Sequence, residues 1–504
     1  MEGHPLIASR ILKAKEKGAR LIVADPRRIH IASYADIHVQ QRLGSDVALI
    51  NSMMHVILKE GWEDKKFIAE RTEGFDALKE KVGEFSPEKV EEITGVKGED
   101  VRKMAELYAN SEVASIVYAM GITQHSTGTD NVKSLCNLAM LCGNLGKEGG
   151  GVNPLRGQNN VQGACDMGAL PNLYPGYQRV DNEDVAKKFE EVWKVKLSRK
   201  PGLTIPDMFQ AIEEGKLKAL FILGENPMLS DPDLHHVEEA LKSLDLLVVQ
   251  DIFLTETARF ADVFLPGVSF AEKDGTFTNT ERRVQRVRKG IAPMGESRQD
   301  WKIIGDLASK MGYPIGYEHP SQIQEEISLL TPSYGGVTYD RLDNEGLQWP
   351  CPDRDHPGTV YLHKDKFTRG FGLFHAIDYI PPAEIPDEEY PLMLTTGRVY
   401  FHFHTGTMTR KSPLLNKEVE KGYLEINPDD AQRLGIEDGK KVKVISRRGE
   451  IEIEAHITNR VEAGVVFLPF HFVESAANIL TNPAFDPIAK IPEFKVCAVA
   501  VKSL

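Results

Sequence analysis

Residues 219–267 read ALFILGENPMLSDPDLHHVEEALKSLDLLVVQDIFLTETARFADVFLPG. Three apolar runs of strand length, 219–223, 246–249 and 263–265, end respectively in the turns Gly224-Glu225-Asn226-Pro227, Gln250-Asp251 and Pro266-Gly267. Short, nearly continuous apolar runs bounded by Gly, Pro and Asp turns are the pattern of parallel strands buried on both faces. In open α/β sheets ligands bind outside the carboxyl ends of such strands, so Gly224 and Asp251 are positions where a ligand is sought.

The same unit occurs earlier in the chain. An amphipathic helix pattern over 5–19 precedes the run 21–24, which ends in Asp25-Pro26, and a second run follows at 37–39. Ser45 is expected to cap a helix reaching Gly61, and Ser86, with Glu88 and Lys89, opens another helix at Pro87. A strand is expected over 114–120, ending in Gly121, and a helix over 130–141. Alternating strands and helices predict βαβ units with a parallel sheet. The stretches 143–151 and 153–175 carry many Gly, Asn, Gln and Pro with little periodicity, and read as long ordered loops.

After about residue 365 the texture changes. Alternating strands at 392–395, 422–426, 441–446 and 450–457, a hairpin turn at Arg447-Arg448-Gly449 and a short helix at 428–434 suggest a small β-barrel with one inserted helix. The Pro-rich acidic stretch 378–390 reads as a linker.

The chain has 504 residues, room for about three domains. Lys and Arg number 61 against 74 Asp and Glu, a net charge of −13, which argues against general affinity for nucleic acid or anionic membranes. Five cysteines, an odd number with no C-x-x-C pair, make neither a disulfide framework nor a zinc or iron–sulfur site, and suit a reducing, cytoplasmic setting. No stretch approaches the roughly 18–20 apolar residues of a membrane span. Walker A, G-x-G-x-x-G, G-x-S-x-G and H-E-x-x-H motifs are absent, which removes the commonest NTPase, NAD enzyme, hydrolase and metalloprotease readings.

Three segments carry chemistry. Asp25-Pro26-Arg27-Arg28 places an acid and two guanidinium groups at a strand end, suited to a ribose or phosphate, although Asp-Pro is also an ordinary turn starter. The run 151–168, GVNPLRGQNNVQGACDMG, surrounds one cation, Arg156, with uncharged amides that include Gln158. A lone guanidinium among neutral amides suits a small carboxylate, because its fork donates to two oxygens at once. Finally, TTGRVYFHFHT (395–405) follows the first barrel strand and offers Arg398, His402 and His404 as phosphate or base contacts; with no acid or third histidine nearby, zinc is a poor fit.

Together the run from Gly151 to Pro175, the segment QDIFLTETARFADVFLPGVSFAEKDGTFTNTERRVQR (250–286), the TTGR segment and AFDPIAKIPEFKVCAV (484–499) resemble the molybdopterin oxidoreductases of the dimethyl-sulfoxide-reductase class. Within that class the resemblance is to the catalytic alpha subunit of molybdenum- or tungsten-dependent formate dehydrogenase, and it extends over the whole chain. It implies two Rossmann-like parallel-sheet domains, 1–158 and an incomplete 159–364, followed by a double-psi-type β-barrel at 365–504. It also implies a bis(molybdopterin guanine dinucleotide) centre with Mo or W, and reversible two-electron oxidation of formate to carbon dioxide. An electron-accepting subunit of iron–sulfur, flavin or hydrogenase type is the implied partner.

By the same resemblance, Arg156 holds formate's carboxylate with Gln158 beside it. Asp25, Gly44, Asp46, Met120, Gly121 and Gln124 match contacts to one dinucleotide. Gly224, Asn226, Ser230, Asp251, Arg398, His402, His404 and Lys495 match cofactor contacts in the second α/β domain and the barrel. The alternatives are another member of the class, such as a nitrate reductase, and a metal-free structural subunit of an electron-transfer complex.

The family's N-terminal 4Fe–4S domain, its metal-ligating cysteine or selenocysteine and the adjacent histidine have no counterpart in these 504 residues, so no metal ligand is expected in this chain. Met1-Glu2-Gly3-His4-Pro5 matches the family just downstream of that ligand. The expectation is that the gene specifies selenocysteine by a stop codon and that this reading frame starts beyond it. Reading the upstream DNA in frame checks it: a TGA within the family's motif is expected, and any other stop overturns it.

Overall fold

A computed structural model describes residues 2–504, which form two compact units. The first comprises residues up to 155 with 229–235 and 361–504; the second comprises 156–228 and 236–360. Among the described residues no helix is long and apolar enough to cross a membrane.

In the first unit the helix Pro5–Glu16 leads into a parallel pair, Ile22–Ala24 beside Ile37–Val39, in register from Ile22 opposite Ile37 to Ala24 opposite Val39. The helix Asp46–Glu60 is buried nearly all round, as its run of Val47, Ala48, Leu49, Ile50, Met53, Met54, Val56 and Ile57 requires. It packs on Val101, Met104 and Ala105 of Gly98–Ala109 and on Leu135, Leu138 and Leu141 of Gly128–Leu141. Ser45 stands at its N-cap position but donates its hydroxyl backward to the Arg42 carbonyl (2.6 Å) rather than accepting from the helix. Ser86 does cap its helix, accepting from the Lys89 amide, and Pro87 fills the first turn.

A second parallel pair joins Ser115–Tyr118 to Gly151–Pro154. The latter strand lies in a stretch read from sequence as loop. With one β-branched residue, an initial Gly at φ +108° and a final Pro that cannot donate, it has no strand signature of its own, and it forms because its neighbour supplies the ladder. The short helix Val161–Asp166, likewise read as loop, begins at Asn160 in the left-handed conformation.

The barrel is closed by six strands in the order Leu392–Gly397, Val465–Pro469, Tyr423–Ile426, Glu450–Ile457, Lys441–Ile445 and Cys497–Ser503. Its alternating residues point inward, with Leu392, Leu394, Leu424, Ile426, Val442, Val444, Val466, Leu468 and Val499 forming the core. Closure leaves no unpaired edge. The helix Pro428–Leu434 is held by the Asn427 side chain, which accepts from the Asp429 amide (3.0 Å).

The barrel and the first strand's turn are joined by an ion-pair network. Arg27 donates from Nε (2.5 Å) and Nη2 (2.8 Å) to the two oxygens of Glu425, which is fully buried on its barrel strand. Arg460 reaches the same carboxylate (2.9 Å), Glu2 bridges Arg27 and Arg460, and the Arg27 guanidinium lies 3.7 Å over the Phe467 ring. The Arg28 amide also donates to the Arg460 carbonyl (2.7 Å).

The second unit holds a three-stranded parallel sheet, Val263–Pro266, Leu246–Asp251 and Ala219–Leu223 in that order, as the apolar runs predict. Phe209, Ile212, Val237, Ala240 and Leu241 cover one face with Ile222, Leu247 and Val249. Phe221, Leu223, Leu246 and Val263 remain substantially exposed. An antiparallel hairpin, Gly275–Thr278 with Arg283–Val287, packs against the helix Val161–Asp166.

Removing one partner of a buried bidentate pair leaves an uncompensated charge, a cost of about 3–5 kcal/mol. Glu425→Ala is therefore expected to destabilise the protein by about that amount. Denaturant titration checks it, and a change within about 0.5 kcal/mol, as at an ordinary surface site, overturns it.

Candidate functional site

The strand-end turns and the barrel loop of the first unit bring several sequence-chosen residues together. Asp25 follows the strand Ile22–Ala24, and its Oδ1 accepts from the Arg27 amide (2.9 Å). Burial raises its pKa to about 6, against the opposing pull of Arg27. Lys495 donates from Nζ to the Thr396 carbonyl (2.7 Å), and its amide donates to the Gln124 carbonyl (3.3 Å). Removal from water, reinforced by the positive charge of Arg398 and opposed by Asp25, lowers the Lys495 ammonium to about 7. Arg398 also has its pKa lowered by desolvation, and its Nη2 lies 3.7 Å from Met120 Sδ. Asp25, Met120, Gln124, Arg398 and Lys495 thus share one region, in which two cations set back from solvent are balanced by one partly protonated acid.

The loop carrying Arg398, His402 and His404 is fastened from the inside. His471, fully buried, accepts the Val399 amide at Nε2 (2.9 Å) and donates from Nδ1 to the His404 carbonyl. Desolvation holds its pKa down at about 3, so it stays neutral with this one tautomer. His402 also engages both ring nitrogens within the chain, donating from Nε2 to the Val419 carbonyl (2.7 Å) and contacting Thr409 Oγ1 (3.1 Å) through Nδ1. His404 adopts φ +49° and sets its ring edge-on to Phe470. The sequence reading missed His471, whose only signal is a histidine after the apolar strand Val465–Pro469.

Asp46 is buried at the start of its helix, and desolvation raises its pKa; Gln41 (3.3 Å) and His125 (3.9 Å) adjoin it. His125 donates from Nε2 to the Gly121 carbonyl (2.9 Å). Two acceptor atoms around Asp46, Gln41 Oε1 and His125 Nδ1, have no hydrogen-bond partner among the described residues. Buried acceptors left so are costly and call for a donor-bearing occupant. Gly44, at φ +73°, has Pro382 Cγ 2.4 Å from where a Cβ would stand, so no side chain fits.

The remaining first-unit position, Ser230, donates to Asp231 (3.1 Å), and its carbonyl accepts from Asn478. In the second unit Gly224, at φ +64°, ends the strand Ala219–Leu223. Asn226 is buried and spends its amide on its own fold: Nδ2 donates to Glu256 (2.9 Å), and Oδ1 accepts from the Thr257 amide (3.1 Å) and hydroxyl (2.7 Å). Asp251 accepts from the Ile252 amide (2.6 Å), and burial, with Glu225 and Asp300 adding like charge, raises its pKa. Arg156 is half-buried; its amide donates to Thr280 Oγ1 (3.0 Å) and its Nε to Gln162 Oε1 (2.8 Å). Gln158 follows two residues on, also half-buried.

Parallel sheets with strand-end turns and a closed six-stranded barrel are a fold shared by many functions, and comparison with known proteins gives the family. Residues 1–310 match the family described as "Molybdopterin oxidoreductase", and residues 392–498 match "Molydopterin dinucleotide binding domain". The chain belongs to the molybdopterin oxidoreductase family. It is 57% identical, over all of its own length and 75% of the relative's, to "F420-dependent formate dehydrogenase subunit alpha" of Methanocaldococcus jannaschii. A Methanococcus maripaludis "F420-dependent formate dehydrogenase 1 subunit alpha" is 53% identical over the same shares. Escherichia coli "Formate dehydrogenase H" is 42% identical over all of this chain and 71% of that protein. The acetylene hydratase of Pelobacter acetylenicus shares the fold, with TM-score 0.75 at 22% identity, over 98% of this chain and 75% of that one.

The first unit's residues fit such a cofactor. An anionic phosphate or pterin oxygen would offset the partly buried charges of Arg398 and Lys495, and base or pterin N–H groups would satisfy the orphan acceptors around Asp46.

The depressed Lys495 ammonium has a pH consequence. Between its folded value of about 7 and its ordinary value of 10.5 the unfolded chain binds more protons than the native one, so stability rises with pH across that window and is lost as pH falls through it. Lys495→Met is expected to abolish this slope and raise the Tm of cofactor-free protein at pH 7–8 by a few degrees, while lowering the cofactor content of the loaded enzyme. Calorimetry across pH with metal analysis checks both; an unchanged slope overturns the reading.

Proposed function

We propose that this chain is the catalytic alpha subunit of a cytoplasmic formate dehydrogenase, oxidising formate reversibly to carbon dioxide with a bis(molybdopterin guanine dinucleotide) centre carrying Mo or W. The observation that carries the reading is Arg156, a lone cation in a neutral amide loop, within a chain that matches formate dehydrogenase alpha subunits along its whole length. All five cysteines are unpaired, in keeping with a reducing compartment. Electrons would pass to a partner subunit, and the names of two relatives point to the deazaflavin F420 as final acceptor.

Formate is an anion at neutral pH, and a guanidinium matches its two oxygens with two parallel N–H donors. Arg156 therefore binds and orients the carboxylate, directing the C–H bond away from the guanidinium, and Gln158 adds an uncharged amide beside it. Oxidation converts HCOO⁻ into neutral CO₂ with release of two electrons and a proton. When bound, the cofactor supplies the acceptor for those two electrons. The charge attraction that holds the substrate disappears from the product, so Arg156 retains formate and lets carbon dioxide go. In the reverse direction the same guanidinium stabilises carboxylate charge as it develops. Arg398 and Lys495 would hold anionic cofactor oxygens, while Asp25, Asp46, Gly44, Met120, Gly121 and Gln124 would line one dinucleotide. Ser230, His402 and His404 of the first unit, and separately Gly224, Asn226 and Asp251 of the second, would serve as further cofactor contacts.

In the complete enzyme, Arg156→Ala is expected to lower kcat/KM for formate about 10²-fold or more. Metal analysis together with formate-dependent viologen reduction checks the activity. Reduction of nitrate in place of formate oxidation, or protein free of Mo and W, overturns the proposal.

A further inference from the structure

Arg156 is the end of a buried hydrogen-bond chain. Gln162 and Asp166 lie four residues apart on the helix Val161–Asp166 and so share a face. Asp166 is only 1% exposed, and its carboxylate accepts from three neutral donors: Gln162 Nε2 (2.8 Å), the Tyr177 hydroxyl (2.8 Å) and the Tyr334 hydroxyl (2.5 Å). Burying an ionised carboxylate without a bonded cation is costly, and the three donors compensate it.

The consequence falls on Gln162, itself 5% exposed. Its Nε2 is occupied by Asp166 and by the Tyr177 oxygen (3.0 Å), so the amide cannot flip and Oε1 is directed at Arg156 Nε (2.8 Å). Burial and the charge of Asp166 push both phenols up in pKa, keeping them donors. The supports are rigid. Tyr177 holds a left-handed backbone (φ +59°), which costs about 1–3 kcal/mol in a bulky residue and persists only where the surroundings enforce it. Tyr334 stacks on Trp349 and bonds Thr278 Oγ1 (3.2 Å), and the Thr278 amide donates to Asn160. Gly163 leaves no room for another residue, since a Cβ there would stand 2.1 Å from Asn160 Oδ1.

We propose that Gln162 and Asp166 are positioning residues: they commit the Arg156 Nε–H within the protein, so that a carboxylate substrate is met by the end-on Nη1/Nη2 edge of the guanidinium rather than its side. The inference rests on the substrate role proposed for Arg156.

The test uses the complete, cofactor-loaded enzyme and azide, a linear triatomic anion isoelectronic with carbon dioxide, whose Kd is measured by titration calorimetry beside formate kinetics. Gln162→Met keeps the side chain's length and removes its hydrogen bonds. It is expected to weaken azide and raise the formate KM about tenfold, the scale of one lost bond to a charged group, with kcat changed by less than about threefold and metal content unchanged. Asp166→Asn is expected to shift both in the same direction. In an Arg156→Ala background, Gln162→Met is expected to add less than about twofold, because its effect passes through the guanidinium. Azide Kd and formate KM unmoved by Gln162→Met, or moved equally in both backgrounds, overturn the positioning role while leaving Arg156 as the formate ligand. If Arg156→Ala itself moves neither quantity, the substrate reading of Arg156 fails and the positioning role with it.

Discussion

The buried pairing of Arg27 with Glu425 is the constraint on which the first unit depends. Its two bonds join a turn near the beginning of the chain to a strand 398 residues later, and Arg27 also supplies the amide that holds Asp25. Two acids and two arginines close into one balanced group with the Phe467 ring beneath. Ion pairs this deep seldom outperform a well-packed apolar replacement in stability. What the pair supplies is registry: the strand-end turn and the barrel face cannot slide past each other without stranding a charge. Asp25, Arg398 and Lys495 are held on the two elements so locked.

That region is built against its own stability. Desolvation lowers the pKa of both Arg398 and Lys495, the latter to about 7, and burial raises that of Asp25, a carboxyl that could have offset one of them, to about 6. Polar groups kept in such an uncomfortable balance are the mark of a site whose partner completes the charge. The same logic applies to the unpartnered acceptors beside Asp46. A cofactor bound there, as proposed, would complete these charges and so link binding to folding.

Much of the architecture was legible because its signals are local. The runs 219–223 and 450–457 and the helix 428–434 agree with the structure to the residue, since a short apolar run closed by a Gly turn, strict alternation and an Asn-Pro start with a Gly stop are strong local signals. Gly151–Pro154 and Val161–Asp166 were invisible for the opposite reason. They are imposed by partners distant in sequence, a neighbouring strand in one case and the hairpin at Gly275–Thr278 in the other. The barrel strands Val465–Pro469 and Cys497–Ser503 were likewise not marked out by alternation, because both lie against mostly buried surroundings. At the site, charged residues announce themselves in sequence while their restraints do not. Arg156 stands out among amides, but nothing in the spacing of Gln162, Asp166, Tyr177 and Tyr334 says that they converge.

His471 shows how such a restraint shapes the response of a loop to acid. A loop held by an ordinary histidine would loosen as pH falls through the imidazole's usual range. Burial holds the imidazole that fastens the Arg398–His404 loop far below that range, at about 3, so the fastening keeps its one tautomer in mildly acidic solution.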